Sequence, residues 1–78
     1  MARTTTDLDA LIGARVKLRR KELGMSQSAL GAKLGITLQQ IQKYENGSNR
    51  ISAGCLYEIS RALSVPITYF FQDCEVAA

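Results

Sequence analysis

The segment from residue 27 to residue 47 constrains the fold of this 78-residue chain most, because it predicts two short helices joined by a tight turn at Gly35. Apolar residues recur at the i, i+3 or i+4 spacing of a buried helix face. They are Leu30 and Leu34 in the first of these helices and Ile41 and Tyr44 in the second. A core stripe on each helix implies that the two helices pack against one another.

Two local features support this helix pair. Gly31 falls in the middle of the first helix, where glycine costs about 1 kcal/mol relative to alanine, so we expect the two helix backbones to cross closely there. Thr37 and Gln40 form a T-x-x-Q capping box at the start of the second helix. A small residue, a turn glycine four positions later and an apolar residue six after that is the spacing of a DNA-binding helix-turn-helix. An ordinary helical hairpin is the alternative.

The chain before this segment predicts a long first helix from Asp7 to Leu23, ended by Gly24. Its expected apolar stripe consists of Leu8, Leu11, Ile12, Val16 and Leu23. Arg20 falls on the same stripe, and a charged group on an inner face needs a partner. Lys17 and Lys21 are expected to be solvated.

The chain after this segment predicts two further helices. Ser52 is the expected N-cap of the fourth helix, whose core stripe consists of Leu56, Ile59 and Leu63. A short fifth helix is predicted from Pro66 to Phe71, with the proline at its first position. Its apolar residues cannot all face inward, so they form either a subunit contact or scattered exposed groups. Cys55 is expected to be a small buried residue, and both it and Cys74 are expected to be reduced thiols.

The predicted third helix, Leu38 to Glu45, has a polar outer face. At 100° per residue, the side chains that point away from Ile41 and Tyr44 are those of Gln39, Gln42, Lys43 and Asn46, with Leu38 on the flank. Glutamine can form two hydrogen bonds with adenine, and an apolar side chain can contact the thymine methyl group. A helix that only completes a core does not need these amides. The polar loop from Gly47 to Arg50 can bring backbone N–H groups and one cation close to phosphate, although an ordinary polar loop has the same composition.

The net charge of +3 is unevenly distributed along the chain. Residues 15 to 50 carry eight cations and two anions, a balance of +6, whereas the flanking residues sum to −3. Such a basic region favours a polyanionic partner, although a solvated basic face is equally common. The absence of histidine, acidic clusters and a phosphate-binding loop leaves no catalytic or metal site, so we expect no enzyme activity, cofactor or metal.

The segments LGMSQSALGAKLGITLQQIQKYENG and ISAGCLYEISRALSVPITYFF resemble the phage repressor/Cro family, also called the XRE family, and the resemblance covers residues 12 to 71. It implies an all-α fold, a compact five-helix bundle of the lambda-repressor-like DNA-binding type, with helices 2 and 3 as the helix-turn-helix. We expect one domain over residues 1–78 with its core at about 7–71. Gly31 departs from the family, which usually has alanine there.

The resemblance, together with the helix faces above, also assigns candidate site residues. Expected base contacts are Thr37, Leu38, Gln39, Gln42 and Lys43. Expected contacts to the DNA backbone are Ser26, Gln27, Asn46, Ser48, Asn49 and Arg50. Ser26 is also the expected N-cap of the second helix, and Gln27 is expected both to contact a phosphate and to brace the third helix. Arg20 and Glu45 each lie on the inner face of their own helix and are expected to form a partly buried ion pair, which this family often has.

These features predict a sequence-specific, double-stranded DNA-binding transcriptional regulator. The expected form is a repressor-like, cytoplasmic homodimer, joined through its C-terminal helices and reading a palindromic operator through helix 3. No membrane association and no small-molecule ligand are expected. The alternative is an antitoxin or another protein-interaction module built on the same fold.

Overall fold

The computed structural model describes residues 7–72, which form four α-helices and one 3₁₀ helix. In chain order these are α1 (Asp7–Glu22), α2 (Gln27–Leu34), α3 (Leu38–Glu45), α4 (Ala53–Ala62) and the 3₁₀ helix (Ile67–Phe71). The described part is all-helical, as predicted. The predicted five-helix count is corrected at the last element, because the fifth helix is a tighter 3₁₀ helix of five residues. Pro66 lies at the position before this helix rather than at its first position.

Side-chain caps begin three of the helices where the sequence predicts them. Ser26 accepts a hydrogen bond from the backbone N–H of Ala29 at 3.0 Å at the start of α2. Thr37 accepts one from Gln40 at 3.1 Å at the start of α3, and Ser52 accepts one from Cys55 at 3.1 Å at the start of α4. Each oxygen satisfies a backbone donor that the helix itself cannot pair. The predicted bounds of α3 are confirmed.

The core lies where the four α-helices and the 3₁₀ helix meet. Its buried apolar residues are Val16, Leu30, Ile41, Leu56, Ile59, Leu63 and Phe70. Phe70 comes from the 3₁₀ helix and is fully buried, whereas its neighbours Ile67 and Phe71 are exposed. Burying each large apolar side chain stabilises the fold by about 1.5–3 kcal/mol. This burial is the main force that holds so small a domain together.

The inner face of α1 differs from the predicted stripe. Leu8 and Leu23 are 45% and 42% exposed, and the buried positions of the helix are Asp9, Gly13, Val16 and Arg20. Gly13 explains this rotation, because a Cβ at this position would collide with the carbonyl oxygen of Tyr44. The backbone of α1 therefore packs directly against the end of α3, and only a residue without a side chain permits it.

The two halves of the helix-turn-helix also approach closely at glycine. Gly35 has a φ of 71°, a left-handed conformation that ends α2. A Cβ on Gly31 would lie 2.7 Å from the carbonyl oxygen of Ile36 and 3.6 Å from Cγ1 of Ile41. The crowding predicted at Gly31 is present, but its nearest obstacle is the backbone of the turn rather than the backbone of α3.

Two absences within residues 7–72 are relevant to function. No helix in this range has both the length and the apolar composition needed to cross a bilayer. The same range contains no cluster of three or more histidine, cysteine, aspartate or glutamate side chains that could hold a metal ion. Cys55 is a half-buried free thiol, while Cys74 lies outside the described residues.

Candidate nucleic-acid interface

The α3 helix presents two chemically distinct faces. Ile41 is fully buried on the inner face. The side chains of Gln39, Gln42 and Lys43 are exposed on the opposite face, and Leu38 is exposed on the flank at the start of the helix. Thr37 is also exposed, although its hydroxyl oxygen caps the helix. The five expected base contacts therefore lie on one accessible surface, whose amides and ammonium group suit the hydrogen-bonding edges of base pairs.

A buried ion pair joins α1 to the end of α3. Arg20 donates from Nε to Glu45 Oε2 at 2.7 Å and from Nη2 to Glu45 Oε1 at 3.0 Å. The two side chains are only 8% and 3% exposed. Arg20 also donates from Nη1 to the backbone oxygen of Met25 at 2.8 Å. The guanidinium group thus links α1, α3 and the segment before α2 in a two-pronged geometry that lysine cannot reproduce.

Hydrogen bonding to Glu45 raises the pKa of the Arg20 guanidinium group, and burial opposes this effect. A cation whose pKa is raised on folding contributes stability at every pH below its unfolded value. Arginine already titrates far above neutral pH, so Arg20 stays charged throughout the working range of the protein. Titration of Arg20 therefore does not break this ion pair.

Gln27 connects α2 to α3 through hydrogen bonds with two side chains of α3. Its Nε2 donates to Glu45 Oε1 at 3.0 Å, and its Oε1 accepts a longer hydrogen bond of 3.4 Å from Gln42 Nε2. The first bond ties Gln27 to the buried ion pair, and the second restricts the orientation of the exposed Gln42 amide. Gln27 thus braces α3, while its contact with phosphate stays a prediction.

The loop that follows α3 is ordered by its own polar groups. Asn46 Oδ1 accepts a hydrogen bond from the backbone N–H of Ser48 at 2.8 Å, and the N–H of Asn49 donates to the carbonyl of Lys43 at 3.2 Å. Gly47 has a φ of 79°, and a Cβ there would lie 2.9 Å from Cα of Ala10. The loop is therefore held against the start of α1, with Ser48 and Asn49 exposed to solvent.

Arg50 has a partner that the sequence did not indicate. Its Nη2 lies 3.1 Å from Asp9 Oδ2 and its Nε lies 3.2 Å from Asp9 Oδ1. The hydrogen bonds to Asp9 raise the pKa of Arg50. Asp9 is 9% exposed and Arg50 is 49% exposed, so the pair has one buried end and one end that faces solvent. The 41-residue separation left no local signal for this contact.

Lys17 is a candidate that sequence reasoning treated only as a solvated charge. It is exposed, as expected, but it lines a shallow depression where α1, α2 and α3 meet. The other residues that line this depression are Gln27, Gln42, Glu45 and Asn46. The sequence did contain one indication of this position, because Lys17 lies one turn before Arg20 on the same helix. Arg20 has its partner on α3, so Lys17 faces the same side.

The sequence of this chain matches those of known helix-turn-helix regulators. A family model described as helix-turn-helix (HTH_3) matches residues 16–70. An uncharacterized HTH-type transcriptional regulator of Sinorhizobium medicae is 56% identical over 66 residues, which are 85% of this chain and 48% of that protein. An uncharacterized transcriptional regulator in the ATPase CF(0) region of Rhodospirillum rubrum is 53% identical over 73 residues, 94% of this chain and 68% of that protein. The chain spans about half the length of the first of these relatives.

A solved structure with the same fold contains DNA. The P22 c2 repressor protein, in complex with a synthetic operator, is 30% identical and superposes with a TM-score of 0.72. The likeness covers 78% of this chain and 92% of that one. The P22 c2 repressor therefore has a similar helix arrangement to this chain, and in that protein the arrangement is bound to an operator.

Proposed function

The chain belongs to the helix-turn-helix family HTH_3, the phage repressor/Cro-like (XRE) group, and on this premise we propose that it is a sequence-specific DNA-binding transcriptional regulator. The proposal rests on one observation above all, the polar outer face of α3. Gln39, Gln42 and Lys43 are exposed on a helix whose opposite face is anchored by the fully buried Ile41. A helix presented in this way fits the major groove, where base edges offer hydrogen-bond donors and acceptors.

Gln39 is the residue to which we assign direct base readout. It lies in the first turn of α3, the end of a recognition helix that enters the groove. Its amide matches the acceptor and donor of adenine, and Leu38 beside it offers an apolar contact for a thymine methyl group. Gln42 lies one turn further along the helix. Its amide donates a hydrogen bond to Gln27, which restricts the orientation in which it would meet DNA.

The segments before and after α3 supply the expected contacts to the DNA backbone. Ser26 and Gln27 lie at the start of α2, where the helix dipole favours an anion. The loop after α3 supplies Asn46, Ser48, Asn49 and Arg50. Such contacts fix the register of the protein on the duplex and leave sequence discrimination to α3.

We further propose a homodimer joined near the C-terminal helices. Exposed apolar side chains of Leu8, Ile67 and Phe71 line one depression together with Ile51 and Leu56. Adjacent exposed apolar groups of this kind are typical of subunit contacts. A two-fold dimer would place two α3 helices roughly 34 Å apart, one turn of DNA, and would require a palindromic operator. Repression would follow from occupancy of such an operator.

Binding-site selection from random duplexes tests the proposed function, with wild type and Gln39→Ala compared in parallel. We expect wild type to enrich a two-fold symmetric sequence, and Gln39→Ala to lose about 1–3 kcal/mol on that sequence while keeping its affinity for random DNA. Gln72→Ala is the matched control, because this exposed glutamine lies beyond the 3₁₀ helix. An unchanged selected sequence for Gln39→Ala would move base readout to Thr37, Gln42 or Lys43.

The same apolar depression favours a second candidate function, a protein-interaction module such as an antitoxin. Leu8, Ile67 and Phe71 would then contact a different protein rather than a second copy. Failure of wild type to enrich any DNA sequence would favour this function over the first.

A further inference from the structure

A chain of hydrogen bonds runs from the buried ion pair to the outer surface of α3. Arg20 donates to both carboxylate oxygens of Glu45, at 2.7 and 3.0 Å. Glu45 Oε1 also accepts a hydrogen bond from Nε2 of Gln27 at 3.0 Å. Oε1 of Gln27 in turn accepts one from Nε2 of Gln42 at 3.4 Å. Burial decreases along this chain, because Gln27 is half-buried and Gln42 is exposed.

The buried end fixes the direction of every hydrogen bond in this chain. A guanidinium group has only donors, and an ionised carboxylate has only acceptors. Gln27 must therefore turn its NH₂ group towards Glu45, because a rotated amide would place its oxygen against a carboxylate oxygen. The oxygen of Gln27 then faces Gln42, which must offer its own NH₂ group. The buried Arg20 thus selects one of two amide orientations at each glutamine.

Gln42 consequently has a fixed polarity on the outer face of α3. Its NH₂ group is held by Gln27, so its carbonyl oxygen is directed away from Gln27 on an exposed side chain. The neighbouring Gln39 is exposed as well, but it lies outside this chain of hydrogen bonds. The Gln39 amide can therefore present either orientation to a base edge, whereas Gln42 presents an acceptor.

We propose that Gln42 selects amino bases, and that Gln27 is the positioning residue that sets this preference. In the major groove, adenine and cytosine present an exocyclic amine, whereas guanine and thymine present a carbonyl oxygen. The Gln42 oxygen accepts a hydrogen bond from an amine and is repelled by a carbonyl oxygen. This assignment rests on the proposed DNA-binding function and adds to it the class of base that one side chain selects.

Binding to duplexes that differ at a single base pair tests the preference of Gln42. The position to vary is the one whose selected base is lost in the variant Gln42→Met. At that position we expect wild type to bind adenine and cytosine about tenfold more tightly than guanine and thymine. An adenine analogue without the exocyclic amine should lose about the same factor, and an analogue with carbon in place of N7 should lose less. Tighter binding of guanine or thymine would overturn the assigned polarity.

The variant Gln27→Met tests whether Gln27 positions the Gln42 amide. It frees that amide to rotate, so amino and keto bases at the same position should bind within about twofold of one another. Loss of a phosphate contact by Gln27 would weaken all four duplexes equally and leave their ratio unchanged. Gln72→Met is the matched control, because this exposed glutamine lies beyond the 3₁₀ helix, and it should keep the wild-type ratio. Thermal unfolding checks that both variants are folded.

Three outcomes would contradict these expectations. A Gln27→Met variant that keeps the full wild-type ratio would show that Gln27 does not set the preference. A wild type that selects a DNA sequence in which no position depends on Gln42 would overturn the assignment and leave the proposed function standing. A wild type that selects no DNA sequence would overturn both.

Discussion

Replacing Glu45 by glutamine should destabilise the whole domain. The carboxylate accepts three hydrogen bonds, two from Arg20 at 2.7 and 3.0 Å and one from Gln27 at 3.0 Å. A glutamine amide has one oxygen and one NH₂ group, so at least one of these donors would face another donor. The Arg20 side chain, 8% exposed, would also lose its counter-charge.

The size of this effect follows from the burial of the pair. Removing one partner of a buried ion pair costs about 3–5 kcal/mol. A domain of this length has a free energy of unfolding of roughly 4–12 kcal/mol, so the variant would retain only part of it. At about 4–8 °C per kcal/mol for a small domain, the melting temperature should fall by about 12 °C or more.

Urea and thermal unfolding, followed by helical circular dichroism, measure this loss. Glu22→Gln is the matched control, because Glu22 pairs with Arg19 at 3.4 Å on the surface and should cost under about 1 kcal/mol. The double variant Arg20→Met with Glu45→Leu should recover much of the loss, because it removes both buried charges together. A Glu45→Gln variant as stable as Glu22→Gln would show that the ion pair does not hold α1 to α3.

Three other predictions follow from particular contacts. Arg50→Ala should weaken binding to every DNA sequence by a similar factor and flatten the salt dependence, and the variant Asp9→Asn with Arg50→Ala separates this effect from that of the uncompensated Asp9 carboxylate. Gly13→Ala should destabilise the domain, because the added Cβ would meet the backbone of α3. Gly54→Ala should stabilise α4 by about 0.5–1 kcal/mol, because the added Cβ would meet nothing within 4 Å. Chemical unfolding of both variants measures the two changes in the free energy of unfolding. Phe71→Ser should shift a dimer towards monomer in sedimentation experiments at micromolar concentration, and a wild type that is monomeric and binds DNA one copy at a time would refute the proposed dimer.

Local signals determined the elements that form the helix-turn-helix. Ser26 and Thr37 accept the capping hydrogen bonds that start α2 and α3, and Gly35 takes the left-handed conformation that separates them. These effects act over three or four residues, so they are readable from the sequence. The two faces of α3 were readable for the same reason, because the amides recur with helical spacing opposite Ile41.

Only the tertiary structure decided how α1 is rotated and which charges it brings to the candidate interface. Leucines occur on several sides of α1, so periodicity alone favoured a stripe whose two ends, Leu8 and Leu23, are in fact exposed. Its buried face is set instead by Gly13, where the backbones of α1 and α3 meet. That rotation places Asp9 against Arg50, and Lys17 at the rim of the same depression as Gln42. The family resemblance predicted one contact between distant residues, the Arg20–Glu45 ion pair, which the structure contains. The other distant contacts depend on helix packing, for which a single chain contains no local signal.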